Sequence, residues 1–411
     1  MPHSRRSLDL DTLARTAQEA FASTEPDLYG LEVEWPTNRF GDEWARPTPA
    51  DMAELQLLEM PGQSRVTFEP GGQVELSTMP FPTMTEAVKA LRADAAQIDL
   101  ALHGYGYDTI VASVDGRRAP RRVLTKARYE AMERFFEANG PSGTWMMTNT
   151  TSTQVNISHA ADDPYRRWRL MHHLGPVLVA AFANSPGIDQ AGRHWRSLRQ
   201  AIWWGIDRGR TKPVPEHVDP ASAWLDYALA ADVFFINEED SNGSRGIGLP
   251  PGTSFANWLR SGHEVGWPTI DDFRYHLSTL FPPIRPRGWI EIRFLDALPP
   301  WICEVAAMTI ATLSAAPGID EACERLPDTR GLWMDASRNG LQSRVLRETA
   351  VPLFELVERN LEQVSSDPNQ AAALAEFVSR YVRLGRCPGD DISTLVDLRQ
   401  FAGRPLVPAL G

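Results

Sequence analysis

The sequence has 411 residues, of which 43% are hydrophobic, and its formal net charge at pH 7 is −12. A chain of this size can bury a substantial core, and so negative a surface disfavours binding to nucleic acid or to anionic membranes. The longest apolar run, residues 174–183, is too short to span a bilayer. The basic residues near the N-terminus are not followed by an apolar segment, and the three cysteines lack metal-ligand spacing, so we expect no secretory signal and a cytoplasmic protein.

The chain begins with a predicted helix, followed by a strand that carries two glutamates. Residues 7–23 place leucines and alanines on one side, which is typical of an amphipathic helix. Residues 29–35 then alternate as a half-buried strand does, and Glu32 and Glu34 point away from the apolar side chains. A lone Glu-x-Glu is more often a solvated strand face than a site, so this pair needs support from the rest of the chain.

The hairpin predicted over residues 65–78 supplies that support. Its two arms alternate apolar and polar residues, and Pro-Gly-Gly at 70–72 between them is typical of a tight turn. Glu69 and Glu75 are six residues apart, so both carboxylates can emerge near one edge of the same sheet face. Two such charges about 4 Å apart repel by about 4 kcal/mol at an effective dielectric constant of about 20. The hairpin therefore predicts either a bound cation or raised pKa values.

A long polar strand is predicted over residues 145–159, after helices over residues 83–104 and 125–139. One of its faces is polar throughout, with the side chains of Thr148, Thr150, Ser152, Gln154, Asn156 and Ser158. A strand with so polar a face is either exposed or lines a site. If it lines a site, Gln154 and Asn156 offer neutral oxygen ligands or contacts to a substrate.

Five arginines are concentrated in residues 192–211, which follow a helix predicted over residues 162–183. In an acidic protein these arginines either pair with surface carboxylates or form a clamp for an anionic substrate. Arg199 precedes an apolar Ala-Ile-Trp-Trp run, so of the five it is the one that we expect to be partly buried.

A carboxylate and a guanidinium share one face of the strand predicted over residues 289–295. Glu291 and Arg293 are two residues apart, an arrangement that suits a metal ion beside a phosphate. A cross-strand ion pair explains the same pattern equally well. Residues 236–254, rich in Gly, Ser and Asn, predict a loop that could cover a site.

The C-terminal quarter of the chain carries no motif, and we interpret it as scaffold and cover. Helices are predicted there over residues 301–315, 318–325, 341–363, 368–385 and 391–402. The chain has neither an internal repeat nor a Pro/Ser-rich linker. We therefore expect a single domain over residues 1–411, with a catalytic sheet core over about 29–300 and a helical scaffold over about 301–411.

Between residues 29 and 300 the sequence resembles the plant-type glutamate–cysteine ligase family, and within it the actinobacterial ligases of ergothioneine biosynthesis. The motifs that carry the resemblance, in chain order, are Glu32-Val-Glu34, Glu69-Pro-Gly-Gly-Gln-Val-Glu75-Leu-Ser77, Arg128-Tyr129, Gln154-Val-Asn156, Phe182-Ala-Asn-Ser-Pro186, Arg199 with Trp203 and Asp207-x-x-Arg210-Thr211, His276-Leu-Ser-Thr-Leu-Phe-Pro282 and Glu291-Ile-Arg293. Residues 301–411 match weakly, and Ala201 stands where the family has a histidine.

The resemblance implies a fold, a reaction and a set of substrates. The fold is α+β and glutamine-synthetase-like: a curved, mainly antiparallel sheet with catalytic residues on its concave face and helices packed outside. The reaction converts ATP, L-glutamate and L-cysteine into γ-glutamylcysteine, ADP and phosphate through a γ-glutamyl phosphate. The partners are these small molecules, with no nucleic acid, membrane or obligate protein partner.

The resemblance also implies roles for particular residues. Two or three Mg²⁺ ions would be held by Glu32, Glu34, Glu69, Glu75 and Glu291, with Gln154 as a neutral ligand. The catalytic residues would be Arg293, Arg199 and Glu291. The substrate pocket would be formed by Gln154, Asn156, Arg199, Trp203 and Thr148. The nucleotide would contact Arg293, Arg285 and Lys126.

Two alternatives stay open at this point. The first is a carboxylate–amine ligase that joins glutamate to a different amine, because the acceptor pocket cannot be recognised in the sequence. The second is a catalytically inactive, metal- or nucleotide-binding regulator. All five acidic positions and Arg293 are present, which argues against the regulator.

Overall fold

The computed structural model describes residues 8–23, 26–238 and 245–401. The strands of these residues are β1 (Tyr29–Trp35), β2 (Thr37–Arg39), β3 (Arg65–Phe68), β4 (Val74–Ser77), β5 (Tyr107–Thr109), β6 (Ser152–Ile157), β7 (Gly187–Ile188), β8 (His194–Trp195), β9 (Phe235–Asn237), β10 (Gly246–Gly248), β11 (Ile284–Pro286), β12 (Ile290–Asp296) and β13 (Val396–Asp397). The α-helices are α1 (Leu10–Glu19), α2 (Pro49–Leu55), α3 (Met84–Gly104), α4 (Ala127–Glu137), α5 (Ser142–Asn149), α6 (Arg166–Ala181), α7 (Leu198–Trp204), α8 (Arg208–Thr211), α9 (Pro220–Ala230), α10 (Phe255–Ser261), α11 (Ile270–Leu277), α12 (Pro300–Ser314), α13 (Gly318–Arg325), α14 (Trp333–Asn339), α15 (Arg344–Asn360) and α16 (Pro368–Arg380).

The largest sheet of the described chain has six strands in the order β11-β12-β6-β1-β4-β3, and every neighbouring pair is antiparallel. The alternation that predicted β1 explains its place, because Leu31 and Val33 are buried on one face while Glu32 and Glu34 lie on the other. Residues that are paired across an antiparallel sheet share a face, so the register extends this division across the sheet. One face is therefore apolar and the other carries the charged groups.

Helices cover the apolar face. The long helices α3, α6 and α12 pack against strands of the sheet, and together they contribute to the main hydrophobic core. Thr83 caps α3 by accepting a hydrogen bond from the backbone N–H of Glu86, which confirms the predicted start of this helix. In the part of the chain that is described, no single helix is long and apolar enough to cross a membrane. The consecutive helices α12 and α13 pass that test only as a pair and are bent by 84° at their junction.

A second apolar cluster lies apart from the main core and is built from α4, α5 and α7. Its buried members include Phe135, Phe136, Trp145, Ile202 and Phe234. Half-buried aromatic side chains pack against this cluster, and Trp203 and Tyr129 are among them.

Two predicted elements are wrong in part. Residues 145–149 belong to α5 and not to the predicted strand, which is confined to β6. Trp145 and Met147 are buried in the second apolar cluster, so tertiary packing overrides the strand preference of the Thr-rich sequence. The helix predicted over residues 391–402 is reduced, in its described part, residues 391–401, to a short 3-10 helix at Leu398–Gln400. There the two-residue strand β13 pairs in parallel with β7.

Two further regions also differ from the predictions. Helix α14 was not predicted. The loop predicted over residues 236–254 contains the antiparallel pair β9–β10, and its residues 239–244 lie outside the described chain.

Candidate active site

Three carboxylates converge on the polar face of the sheet. Glu32 and Glu34 lie on β1 and Glu75 on β4, and each offers an oxygen that lies within 4.8 Å of those of the other two. The register explains the convergence, because Glu34 is paired directly with Glu75. Thr67 and Ser77 hold the Glu75 carboxylate by donating hydrogen bonds of 2.5 Å and 3.2 Å to its Oε1. This group, which we call the glutamate cluster, brings Glu75 of the hairpin next to the glutamate pair of β1, and its role as a metal site stays a prediction.

The hairpin turn brings a fourth carboxylate to the same place. Glu69 closes the turn by donating its backbone N–H to Gln73 and accepting from the N–H of Gly72. Gly72 has φ = +86°, a backbone conformation that favours glycine. The carboxylate of Glu69 interacts electrostatically with those of Glu75, Glu34 and Glu32. The predicted hairpin is therefore confirmed, and its Glu69 and Glu75 carboxylates repel each other electrostatically.

Crowding and partial burial make these groups reluctant to ionise. Removal from water and the charges of Glu75 and Glu291 raise the pKa of Glu32 to about 8. Burial and the charge of Glu32 raise the pKa of Glu34 to about 7. Burial is also the main cause of the raised pKa values of Glu69 and Glu75, with neighbouring glutamates adding to it. Hard divalent cations prefer oxygen ligands of this kind, so the donor set fits Mg²⁺.

Gln154 connects the glutamate cluster to an arginine. Its Nε2 donates to Glu32 Oε1 at 2.6 Å and to Glu34 Oε1 at 3.3 Å. Its Oε1 accepts from Arg293 Nη1 at 2.8 Å. On the same strand, the backbone N–H and the hydroxyl of Ser152 donate to Glu34. Strand β6 thus orients both glutamates of β1 and the guanidinium of β12.

Glu291 has different surroundings from the other four glutamates. Its carboxylate pairs with Arg285 and lies 3.0 Å from Arg287 Nη1 and 3.5 Å from Arg293 Nη1. Burial raises the pKa of Glu291, but the positive charges of the three guanidiniums have the larger effect and lower it to about 2. This is direct support for the ion-pair alternative. The role of Glu291 as a metal ligand stays a prediction.

Arg199 is buried, with an exposed fraction of 2%, and Arg210 of the same five arginines is buried completely, at 0%. Its Nη2 donates to the backbone carbonyl of Arg293 at 3.0 Å. Its Nε and Nη1 have no hydrogen-bond partner among the described residues, and the same holds for Nε of Arg293. Buried donors without partners are costly, so this end of the site is prepared for an anionic group.

Trp203 lies against both arginines. Its ring centroid is 5.3 Å from Cζ of Arg199 and 6.0 Å from Cζ of Arg293. Asn156 is paired across the sheet with Glu291 and Gly30, and its Oδ1 is buried without a partner among the described residues. The roles of both residues in a substrate pocket stay predictions.

Three predicted contacts lie away from the glutamate cluster or are already engaged. Thr148 is in α5, where its hydroxyl oxygen lies 2.8 Å from two acceptors, the carbonyl of Thr144 and Oδ1 of Asn149, so the structure does not bring it to the sheet face. Lys126 is exposed and precedes α4, with its Nζ 6.0 Å from the ring centroid of Tyr129. Arg285 is buried and donates to Glu291 and to the carbonyl of Leu280. The nucleotide contacts of Lys126 and Arg285 stay predictions.

Two residues of the site were missed in the sequence. Asp296 ends β12 and accepts hydrogen bonds next to Arg199, although strict strand alternation places it on the other face from Glu291. Arg46, in a segment predicted only as loop, donates to the carbonyls of Gly71 and Thr148 at 2.6 Å and 2.8 Å. A charged residue at the end of an apolar strand was the available signal for Asp296, and no signal marked Arg46.

Comparisons with known proteins show what this chain is similar to. The family model described as glutamate–cysteine ligase family 2 matches residues 28–403. Glutamate–cysteine ligase EgtA of Mycolicibacterium smegmatis is 36% identical over 383 residues, covering 91% of this chain and 88% of the relative. The protein of the same name from Mycobacterium tuberculosis is 34% identical over 382 residues, covering 89% and 85%. The crystal structure of a Francisella tularensis glutamate–cysteine ligase in complex with AMP superimposes with a TM-score of 0.56 at 14% identity, covering 92% of this chain and 87% of that one.

Proposed function

Because the chain belongs to glutamate–cysteine ligase family 2, we propose that its sheet face joins the γ-carboxylate of L-glutamate to the amine of L-cysteine at the expense of ATP. The observation that carries the proposal is the glutamate cluster next to two arginines with unpartnered donors. An ATP-dependent ligase needs this combination, because a carboxylate must approach a polyphosphate and both are anions.

The proposed reaction has two steps. An oxygen of the glutamate γ-carboxylate attacks the γ-phosphorus of ATP, and the bond to the bridging oxygen breaks as ADP leaves. The cysteine nitrogen then attacks the acyl carbon of the γ-glutamyl phosphate, an amide bond forms, and phosphate leaves while the amine gives up its proton. The first step concentrates negative charge, and the second requires the amine and the acyl carbon to be held together.

The glutamate cluster is the proposed metal site. Glu32, Glu34 and Glu75 would hold Mg²⁺, with Glu69 beside them. The resemblance to the family implies two or three ions. Bound there, the metal would neutralise phosphate charge. Gln154 keeps Glu32 and Glu34 oriented through its amide hydrogens, and Ser152 does the same for Glu34 alone.

The arginines are the proposed anion contacts. Arg293 lies against Gln154 and Glu291, so its guanidinium is held in place before substrate arrives, which is the condition for stabilising charge that shifts during phosphoryl transfer. Arg199 presents Nε and Nη1 from a buried position, which suits a bidentate contact to a carboxylate or phosphate. Trp203 restrains both guanidiniums, and the free Oδ1 of Asn156 suits a substrate ammonium.

An ADP-release assay with ATP, Mg²⁺, L-glutamate and a panel of amines tests this proposal. We expect turnover only with glutamate present and highest kcat/KM for L-cysteine among the amines. Highest kcat/KM with a different amine would support the alternative carboxylate–amine ligase. ATP binding without ADP release for any pair of substrates would point to the regulator.

Ergothioneine biosynthesis in the cytoplasm is the proposed setting. It rests on the sequence resemblance and on the scattered cysteines, of which Cys303 and Cys387 are buried as free thiols. A deletion strain that keeps its ergothioneine would contradict this assignment without affecting the ligase reaction.

A further inference from the structure

Strand β12 changes register beside the active site. Glu291 is paired with Asn156 and Ile292 with Val155, but the next pairs are Leu295 with Thr153 and Asp296 with Ser152. Arg293 and Phe294 therefore both lie opposite Gln154, which is the arrangement of a β-bulge. Without the bulge, Glu291 and Asp296 are five residues apart and face opposite sides of the sheet. With it, Asp296 shares the polar face.

Asp296 is buried there among three hydrogen-bond donors. Its Oδ2 accepts from the backbone N–H of Asn184 at 2.8 Å and from the hydroxyl of Ser185 at 2.8 Å. Its Oδ1 accepts from the hydroxyl of Ser197 at 2.8 Å. Asp296 has an exposed fraction of 2%, so these three donors take the place of water around its carboxylate.

Ser185 and Ser197 also accept hydrogen bonds from the first turn of α7. A serine hydroxyl has one proton, and since Asp296 accepts it in both cases, the oxygens are left as acceptors. Ser185 Oγ accepts from the backbone N–H of Arg199 at 3.2 Å, and Ser197 Oγ accepts from that of Gln200 at 3.2 Å. Ser197 is the N-cap of the helix. One carboxylate thus caps two free amides of α7 through two hydroxyls.

The bulge of β12 also makes two hydrogen bonds to α7. The bulge carbonyls of Arg293 and Phe294 accept from side chains of α7, namely Nη2 of Arg199 at 3.0 Å and Nε2 of Gln200 at 2.7 Å. Helix α7 is therefore tied to the segment of β12 that carries Arg293.

We propose that Asp296 is a positioning residue, which sets the guanidinium of Arg199 relative to Arg293 by capping α7 onto the bulge of β12. Its carboxylate acts through Ser185 and Ser197 and does not touch substrate. The inference rests on the proposed function, because it takes Arg199 as the anion contact of the ligase.

The test is a double-mutant cycle in kcat/KM for glutamate with Asp296→Asn and Arg199→Lys. Asparagine keeps the shape but turns one acceptor into a donor, so a serine must reorient and the cap is lost in part. We expect Asp296→Asn to lower kcat/KM by about 10²-fold, the loss typical of an approximately 1 Å misplacement. In the Arg199→Lys background the same change should have little further effect, because the residue it positions is already altered.

Glu304→Gln is the matched control. Glu304 is also a buried carboxylate held by two side chains, Arg92 and Gln370, but it lies in α12 among the covering helices. We expect it to lower the Tm as much as Asp296→Asn does while kcat/KM stays within about twofold, the effect of a loss of fold stability alone. If Asp296→Asn does not fold, Ser185→Ala and Ser197→Ala each remove one hydroxyl and enter the same cycle.

The outcomes separate the inference from the function on which it rests. Full activity of Asp296→Asn would overturn the inference, and so would losses that simply multiply in the double mutant, since these would mark a general structural role. Arg199→Lys with unchanged kcat/KM would instead remove Arg199 from the proposed anion contacts, and the inference would fall with it.

Discussion

The five glutamates of the polar face differ at the scale of single residues. Glu32, Glu34, Glu69 and Glu75 have few cations near them, so burial and mutual repulsion raise their pKa values. Glu291 lies among three arginines, and the pKa of its carboxyl is lowered to about 2. The same residue type on the same face therefore has two different environments, one crowded with like charges and the other rich in positive charges.

Replacing Arg293 by alanine should affect turnover far more than nucleotide binding. Its guanidinium is held by Gln154 and Glu291 before substrate binds, so it is expected to act on charge that develops during phosphoryl transfer. We expect kcat to fall by about 10²-fold or more, as when one preorganised charge stabiliser is removed. Arg287→Ala is the control, because Arg287 also pairs with Glu291 but its side chain is 49% exposed. Equal losses of kcat in both variants would contradict this role.

Glu291→Gln should destabilise the fold as well as slow the enzyme. It leaves three guanidiniums without their shared anion, and breaking a buried ion pair costs about 3 kcal/mol or more. Because the folded pKa of about 2 lies below the unfolded value, the stabilisation is present above about pH 4.5 and is lost as pH falls toward 2. Urea unfolding at neutral pH and at about pH 4 should therefore show a smaller difference between variant and wild type at the lower pH. Asp271→Asn, at an exposed pair, should change the free energy of unfolding by less than about 0.5 kcal/mol.

Among elements, the β3–β4 hairpin decides where the glutamate cluster forms. Its turn packs against the backbone of α5, and Arg46 donates to both Gly71 and Thr148 across this contact. A Cβ on Gly71 would lie 2.6 Å from Cα of Thr148 and 2.7 Å from Nη1 of Arg46. The close approach of the two backbones is therefore the reason for a glycine at this position.

Gly71→Ala should move the hairpin and weaken the metal site. Overpacking of this kind costs about 1–3 kcal/mol, and the turn also carries Glu69 and leads into Glu75. We expect a lower Tm, a weaker Mg²⁺-dependent rise in Tm, and reduced turnover. The matched control is Gly104→Ala at the end of α3, where no atom lies within 4 Å of the added carbon. A Gly71→Ala protein with normal Mg²⁺ dependence would show that the turn can shift without disturbing the carboxylates.

On the scale of the whole molecule, helices from both ends of the sequence share the main core. It extends from Leu13 in α1 to Val382 after α16, so the residues beyond 300 belong to the same core as the rest. This continuity supports the proposal of one domain, with α12 directly on the sheet. The candidate active site lies on the other face, where α7 contacts β12.

Stability without metal should fall as pH rises from about 5 to about 8. The pKa values of Glu32 and Glu34 are raised to about 8 and about 7, so over this range the folded protein binds more protons than the unfolded chain. Mg²⁺ must displace these protons and should therefore raise Tm more at about pH 8 than at about pH 5.5. NaCl at equal ionic strength controls for screening. A pH-independent Tm and no response to Mg²⁺ would contradict a convergent carboxylate site.

The sequence by itself determined the local parts of this protein. Alternation in residues 29–35 and 65–78 is a property of neighbouring residues, so it was enough to predict β1, the hairpin and the shared face of their glutamates. The long helices α3, α6 and α12 were predicted for the same reason. The resemblance to the ligase family added the reaction, and the family model confirmed it.

Only the tertiary structure decided which partners those residues meet. Residues 145–149 form a helix because Trp145 and Met147 are buried by distant parts of the chain. Arg293 meets Gln154, which is 139 residues away in the sequence, because β12 pairs with β6. Asp296 joins the active face because a bulge adds one residue to β12, and the spacing of residues along a strand cannot show where its register with a neighbour will slip.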